Sequence, residues 1–362
     1  MIQWFPEKIT RMPGPCLLIH RLAAQASIRI EYMENIVETS RIDTRATRLF
    51  GIRYPIVQGG LARIAKAELA AAVSNAGGLG QIAVAGVSEP DLLRAEIRKA
   101  KLLTAAPFAV NFPMGYLTMD NLIDIAIEEG VAAMSFTGGD PTRHLRRLEG
   151  TGTKTLVLVS GPEQAKKAEQ AGAHILATVG YEGGGHIGRG DLTTMVGVPL
   201  VVRAVDIPVL AGGGIADGFG LAAALVLGAE GVEIGTRFIA VKETHAHENY
   251  KNSIIRANAN DTVIVKRSLR TPGRALANAW TEKILAVEAE SATRETVLGM
   301  VKADSNERGV VHGDMDNSLV WVGQAAALIG DIPSAGQLIE RMVREATSAG
   351  NRLCNMVKHC DD

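Results

Sequence analysis

The chain has 362 residues, 38 Lys and Arg against 39 Asp and Glu, and a formal net charge of −1. That balance excludes a polybasic nucleic-acid binder and an acidic disordered chain, and the length suits one large α/β barrel or two modest domains. The three cysteines, Cys16, Cys354 and Cys360, stand near the termini, which argues against a disulfide framework and for free thiols in a reducing, cytoplasmic setting.

Residues 1–40 read differently from the rest. The run from Cys16 to Ile19 is apolar but too short to span a membrane, and no long apolar core with a small-residue cleavage site marks a secretory signal. Residues 1–40 are expected to form an N-terminal extension outside the fold, with Met33 an alternative natural start.

From Tyr54 the pattern becomes regular. Short apolar or β-branched runs begin near Pro55, Leu79, Phe108, Ala132, Thr155, His174, Pro208 and Gly231. Ala-rich amphipathic stretches lie between them, including 66–76, 89–103, 119–129, 162–171 and 218–227. Strands alternating with helices imply parallel pairing through crossover helices, and eight such units imply a closed (β/α)8 TIM barrel. A doubly wound sheet would need a phosphate fingerprint in its first βα turn. That turn reads Gln58-Gly59-Gly60-Leu61-Ala62-Arg63 and lacks the spacing. After Phe238 the stride breaks. Residues 243–306 hold helix formers with one short β-like run at 263–265, and predict a mainly helical subdomain over the barrel mouth. The Ala-rich stretch 318–329 is expected to return as the last outer helix, so the barrel would comprise 41–242 and 307–330. Residues 331–362 are expected to hold a terminal amphipathic helix over 339–357 and a tail.

In a barrel the chemistry sits where the strands end, on the C-terminal face. The loop after the sixth strand carries Glu182-Gly183-Gly184-Gly185-His186-Ile187-Gly188-Arg189. Its glycines let backbone N–H groups approach a ligand closely, and His186 can hold or release a proton near neutral pH. Gly212-Gly213-Gly214 ends the seventh strand and Gly235-Thr236-Arg237 the eighth, the two loops that often bind phosphate in this architecture. No cysteine lies between Cys16 and Cys354, the sixth strand has no lysine, and the first has no His-x-His. These gaps disfavour a thiol nucleophile, a Schiff base there and a mononuclear metal hydrolase. The pair His245 and His247 is expected to be solvated or hydrogen-bonded, and no metal site is expected. A phosphate site with one well-placed histidine suits a cofactor that carries the redox chemistry itself.

The runs Tyr54–Gly60, Ala76–Gly80, Val110-Asn111, Glu182–Gly188, Ala211–Gly218, Leu227–Gly231, Gly235–Phe238 and His247–Lys251 occur in the order that resembles the nitronate monooxygenase family, formerly called 2-nitropropane dioxygenases. The same barrel is shared by flavin-dependent enoyl-ACP reductases and some NADH:quinone reductases. The resemblance implies non-covalent FMN. It places Gln58, Gly59 and Gly60 near the flavin ring and Asn111 in a hydrogen bond to it. Gly180, Gly184 and Gly185 would line the site from the sixth loop. Gly213, Gly214, Gly235 and Thr236 would hold the phosphate, and His186 would face the substrate. Three positions depart from the family pattern: Leu61 stands where methionine is usual, Gly183 where alanine is usual, and Val179 where a polar residue often contacts the cofactor.

The resemblance implies an FMN-dependent oxidoreductase that converts alkyl nitronates and O2 to a carbonyl compound and nitrite. The alternative is an NAD(P)H-dependent reductase of a quinone or an enoyl-ACP, for which Lys266 and the basic segment from Arg267 to Asn278 would meet a nucleotide or a phosphopantetheine. Partners are a small molecule with O2 or NAD(P)H and a second copy of the chain in a homodimer; neither nucleic acid nor a membrane is expected.

Overall fold

In the computed structural model the described residues are 41–87, 89–115, 119–290, 293–302 and 305–357; the N-terminal extension, Cys16 and Cys360 lie outside them. Eight strands form one parallel sheet: β1 (Ile56–Gln58), β2 (Gly80–Ala83), β3 (Phe108–Pro113), β4 (Ala133–Thr137), β5 (Lys154–Val159), β6 (Ile175–Val179), β8 (Val209–Gly212) and β9 (Val232–Ile234). Consecutive barrel strands pair from β2 round to β9, β9 pairs β1, and a parallel bridge from Val57 to Leu79 closes the ring. The eight expected strands are all present.

Alternation inside these strands builds the barrel in layers. Val57, Leu79, Ala109, Ala133, Leu156, Ile175, Ala177 and Leu210 form the inner apolar plug, which Phe50 and Ile52 seal from the N-terminal end. Two residues further along several strands the interior turns polar. Gln81, Asn111, Ser135 and Glu233 are buried there and joined side chain to side chain. This change of layer is the floor of the site. The outward residues of the strands, such as Ile56, Ile82 and Val110, pack under the helices.

Seven outer helices follow their strands directly: Ala67–Asn75, Pro90–Leu103, Asp120–Glu128, Thr142–Arg147, Pro162–Gln170, Thr194–Val202 and Gly218–Val226. The eighth arrives only at Ala335–Met356. Its buried residues Ala335, Leu338, Ile339, Met342, Val343 and Ala346 repeat at helical spacing. They pack with Leu69 and Val73 on one side and Leu221 and Ala224 on the other. The stretch 318–329 is not that outer helix. It runs extended into a 3-10 turn, Gln324–Leu328, because its backbone is tied to the site loops: Gly323 N–H donates to Thr236 Oγ1 at 2.9 Å and Gln324 N–H to Glu182 O at 2.9 Å.

The region after β9 is mainly helical, with Glu248–Arg256, Ala279–Ala289, Arg294–Met300 and Glu307–His312. It also holds a hairpin, β10 (Thr262–Val265) with β11 (Gly273–Leu276), and β11 takes a short third strand, β7 (Gly185–His186), from the loop after β6. Here the catalytic-looking loop is clamped by main-chain pairing rather than left as a free turn. No helix among the described residues is long and apolar enough to cross a membrane.

Candidate active site

A cavity of about 510 Å³ opens at the C-terminal ends of the strands, within the range of about 300–1,000 Å³ typical of small-molecule and cofactor sites. Of the residues expected at the site, Gly59, Gly60, Asn111, Gly184, Gly185, His186, Gly213, Gly214, Gly235 and Thr236 line it. Gln58 and Gly180 do not. Val57 points into the barrel, so Gln58, one step on, has the outward parity of Ile56. Its Oε1 accepts from Gln81 N–H at 2.8 Å. Gly180 packs against Thr194, whose atoms fill the place a Cβ would take.

One wall of the cavity is a backbone cradle. Gly213 and Gly214 have φ of 87° and 73°, a conformation that side chains other than glycine rarely accept. Beside them, on the neighbouring strand, Gly235 and Thr236 follow β9. Thr236 Oγ1 accepts from Gly323 N–H, which leaves the hydroxyl proton available as a donor. Glu182 lines the same wall, but its carboxylate is occupied by Thr194, accepting from the N–H at 3.0 Å. Arg237 contributes nothing here. It is 2% exposed and turned outward, donating to Ala240 O and Asp331 O and pairing with Asp331.

On the floor, Asn111 Nδ2 donates to Ser135 Oγ at 2.9 Å, Ser135 donates to Gln81 Oε1, and Gln81 Nε2 donates to Glu233 Oε1 at 3.3 Å. With every donor running one way, the Asn111 carbonyl oxygen is left to accept. The position of a Cβ on Gly60 is filled by that same amide, so glycine at 60 and asparagine at 111 are a matched pair. Glu233 is 6% exposed, and burial, offset only by the Gln81 bond, pushes its carboxyl up to about 7.

His186 forms the roof with Lys266 and Trp321. Its Nε2 lies 2.6 Å from Lys266 Nζ, and its ring centroid 5.8 Å from that of Trp321. The ring is open to the cavity, yet the cavity is sunk among protein atoms. Burial, then the neighbouring ammonium, therefore pull His186 down to about 4. Burial draws Lys266 down to about 8. At neutral pH the ammonium donates and the neutral imidazole accepts, which puts the ring proton on Nδ1. Two of the other cations over the mouth are engaged elsewhere: Arg267 pairs with Asp191, and Arg274 donates to Tyr181 O and Thr262 Oγ1. The His245 and His247 side chains serve structure. His245 pairs with Glu68 at 3.0 Å, and His247 caps the helix Glu248–Arg256 through Asn249 N–H.

Two residues of this site, Glu233 and Gln81, escaped the sequence reading, although strand parity points both inward. In the sequence Lys266 stands only as one of several cations. Its meeting with His186 depends on the hairpin docking onto the loop after β6, for which there is no local signal.

The family model described as nitronate monooxygenase matches residues 43–345. A probable nitronate monooxygenase of Staphylococcus saprophyticus is 33% identical, over 86% of this chain and all of its own. The (3aS,4S,5R,7aS)-5-hydroxy-7a-methyl-1-oxo-octahydro-1H-indene-4-carboxyl-CoA dehydrogenase of Rhodococcus jostii is 31% identical, over 85% of this chain and 96% of its own. Among solved structures, FabK from Thermotoga maritima superposes with a TM-score of 0.83 at 41% identity, covering 87% of this chain and 99% of that one.

Proposed function

The chain belongs to the nitronate monooxygenase family and is an oxidoreductase, and from that premise we propose that it uses FMN to oxidise alkyl nitronates with O2 to a carbonyl compound and nitrite. One observation carries the reading: a glycine-walled cradle and a cationic roof line one cavity of cofactor size at the barrel mouth. The residues fit the cofactor. Gly213, Gly214, Gly235 and Thr236 offer N–H and hydroxyl donors for a phosphate, three of them with no side chain of their own, and the Asn111 carbonyl offers an acceptor for a ring N–H. When bound, the flavin supplies the redox chemistry.

The protein's own part is to bind and orient. Tyr250, Ile239 and Trp321 give the cavity part of its aromatic and apolar lining. His186 is neutral with Nε2 accepting from Lys266, so it serves the binding of anionic oxygen and not as a free base for a carbon acid. His186→Asn is accordingly expected to slow turnover of preformed nitronates and of neutral nitroalkanes by a similar factor, about tenfold for one lost hydrogen bond to a charged group. Steady-state oxygen uptake with both forms of one nitroalkane reads this, and a much greater loss on the neutral form restores the base role. The exposed free thiol of Cys354 suits the cytoplasm.

The likeness to FabK favours a second reading, reduction of an enoyl thioester or a quinone at the expense of NAD(P)H. Anaerobic mixing decides between them. Bleaching of the flavin absorbance by propionate-3-nitronate and not by NADH or NADPH supports the oxidation of nitronates; bleaching by a nicotinamide nucleotide alone overturns it.

A further inference from the structure

Lys266 is held in an arrangement that its surroundings do not balance. It is 3% exposed, and its Nζ has His186 Nε2 at 2.6 Å and the face of Trp321 at 5.3 Å. The nearby carboxylate, Glu288, is turned to the main chain, accepting from Lys266 N–H and Ser268 N–H at 2.9 Å each. Among the described residues Lys266 makes no ion pair. An ammonium so enclosed has lost most of its hydration, and a neutral imidazole with an aromatic face offsets that loss only in part. Its backbone is also strained: φ is 65°, in the left-handed region. Strain of this kind persists where the surrounding structure holds it, often at ligand sites. Arg63, another of the three non-glycine residues at positive φ among the described residues, lines the same cavity. Glu288 acts on the ammonium only from a distance, and a contacting countercharge can reach it from the cavity its side chain lines.

We propose that Lys266 is a substrate-binding residue whose ammonium, braced by His186 and Trp321, receives the anionic oxygens of the substrate. The charge at this end of the site comes from Lys266, and His186 holds it in place. The assignment rests on the function proposed above only in taking the substrate to be a small oxyanion. It extends that reading from one residue to two and makes the site selective for anions over their neutral conjugate acids.

The test is calorimetric titration of sodium nitrite, a planar anion with two oxygens, into the full chain with the cofactor it carries. Wild type, Lys266→Met, Lys266→Arg and His186→Asn are compared. Lys266→Met is expected to weaken nitrite binding by about 10- to 100-fold, the loss of a charge-assisted contact. Lys266→Arg, which keeps the charge, stays within about threefold, and His186→Asn falls between. Replacing an unbalanced buried charge with an apolar side chain of similar length leaves Tm unchanged or raises it, whereas a lysine with a purely structural role would lower it. If Lys266→Met does not fold, Lys266→Gln, which retains a donor for His186, takes its place; failure of both to fold assigns the ammonium to structure and overturns the proposal. So does nitrite binding equal in Lys266→Met and wild type, or none in wild type. Lys266-dependent nitrite binding without bleaching by a nitronate overturns the proposed function and leaves this assignment standing, while bleaching without Lys266-dependent binding does the reverse.

Discussion

Gly218→Ala is expected to destabilise the protein by about 3 kcal/mol, the upper end of what overpacking costs. The helix Gly218–Val226 begins directly against the C-terminal helix Ala335–Met356. A Cβ at 218 would fall on Met342 O, 2.5 Å from Glu345 Cβ and 2.6 Å from Ala346 N. Two of these three atoms are backbone in the middle of a long helix, so neither can swing aside as a side-chain tip could. The helices must separate, and with them the cluster of Leu221, Ala224, Leu338, Met342 and Val343 that closes the outer layer of the barrel. Gly350, in the same C-terminal helix, has nothing within 4 Å of its Cβ position. There the identical change should stabilise by up to about 1 kcal/mol, through helix propensity alone. Urea unfolding of the two variants beside wild type reads opposite signs. Equal midpoints for Gly218→Ala and wild type would mean that the helices slide apart at no cost and that this contact does not hold the ring shut.

That contact also marks where the sequence stops being legible. The amphipathic period of the last helix is plain in the chain, but nothing in a period says which surface its stripe meets. The helix therefore read as a terminal appendage, while 318–329, Ala-rich and apolar, looked like the better candidate for the outer layer. Its Gly323 and Gln324 instead satisfy Thr236 and Glu182, partners fixed by tertiary structure. The strands were readable because each is a short apolar run bounded by glycine or proline. Their parity was as readable, and applying it would have turned Gln58 outward and found Glu233 between Val232 and Ile234. The departures at Val179 and Gly183 explain each other once placed in space: a Cβ at 183 would come 2.6 Å from Val179 Cγ1. A branched residue at 179 thus leaves room only for glycine at 183, and two apparent losses from the family pattern are one compensated exchange.

Glu233→Gln is expected to stabilise the cofactor-free protein at pH 8 by about 3 kcal/mol and to leave it nearly unchanged below about pH 4.5. The buried carboxyl is pushed up to about 7, from an ordinary value of 4.5, because burial penalises its ionised form and among the described residues only Gln81 hydrogen-bonds it. The folded state thus keeps a proton at 233 that the unfolded chain has already released between those two pH values. Where the folded state binds more protons, stability falls as pH rises. The favourable contribution of the protonated acid is complete below the unfolded pKa, declines from about pH 4.5, and is lost as pH passes through about 7. Glutamine has the same shape, cannot ionise, and still offers Gln81 an acceptor, so the variant should lack this dependence. His186 changes protonation in part of the same range, with the opposite sign, since its folded value is drawn down to about 4 and its stabilising contribution is lost as pH falls. Subtracting the variant from wild type at each pH removes that contribution and leaves the one from residue 233. The experiment is a series of urea unfolding curves from pH 5 to 8.5 on both proteins. A difference that grows with pH and levels off above neutrality identifies a buried acid that is half protonated near pH 7. A difference flat across the series would mean that Glu233 is ionised throughout and that its charge is balanced within the cavity.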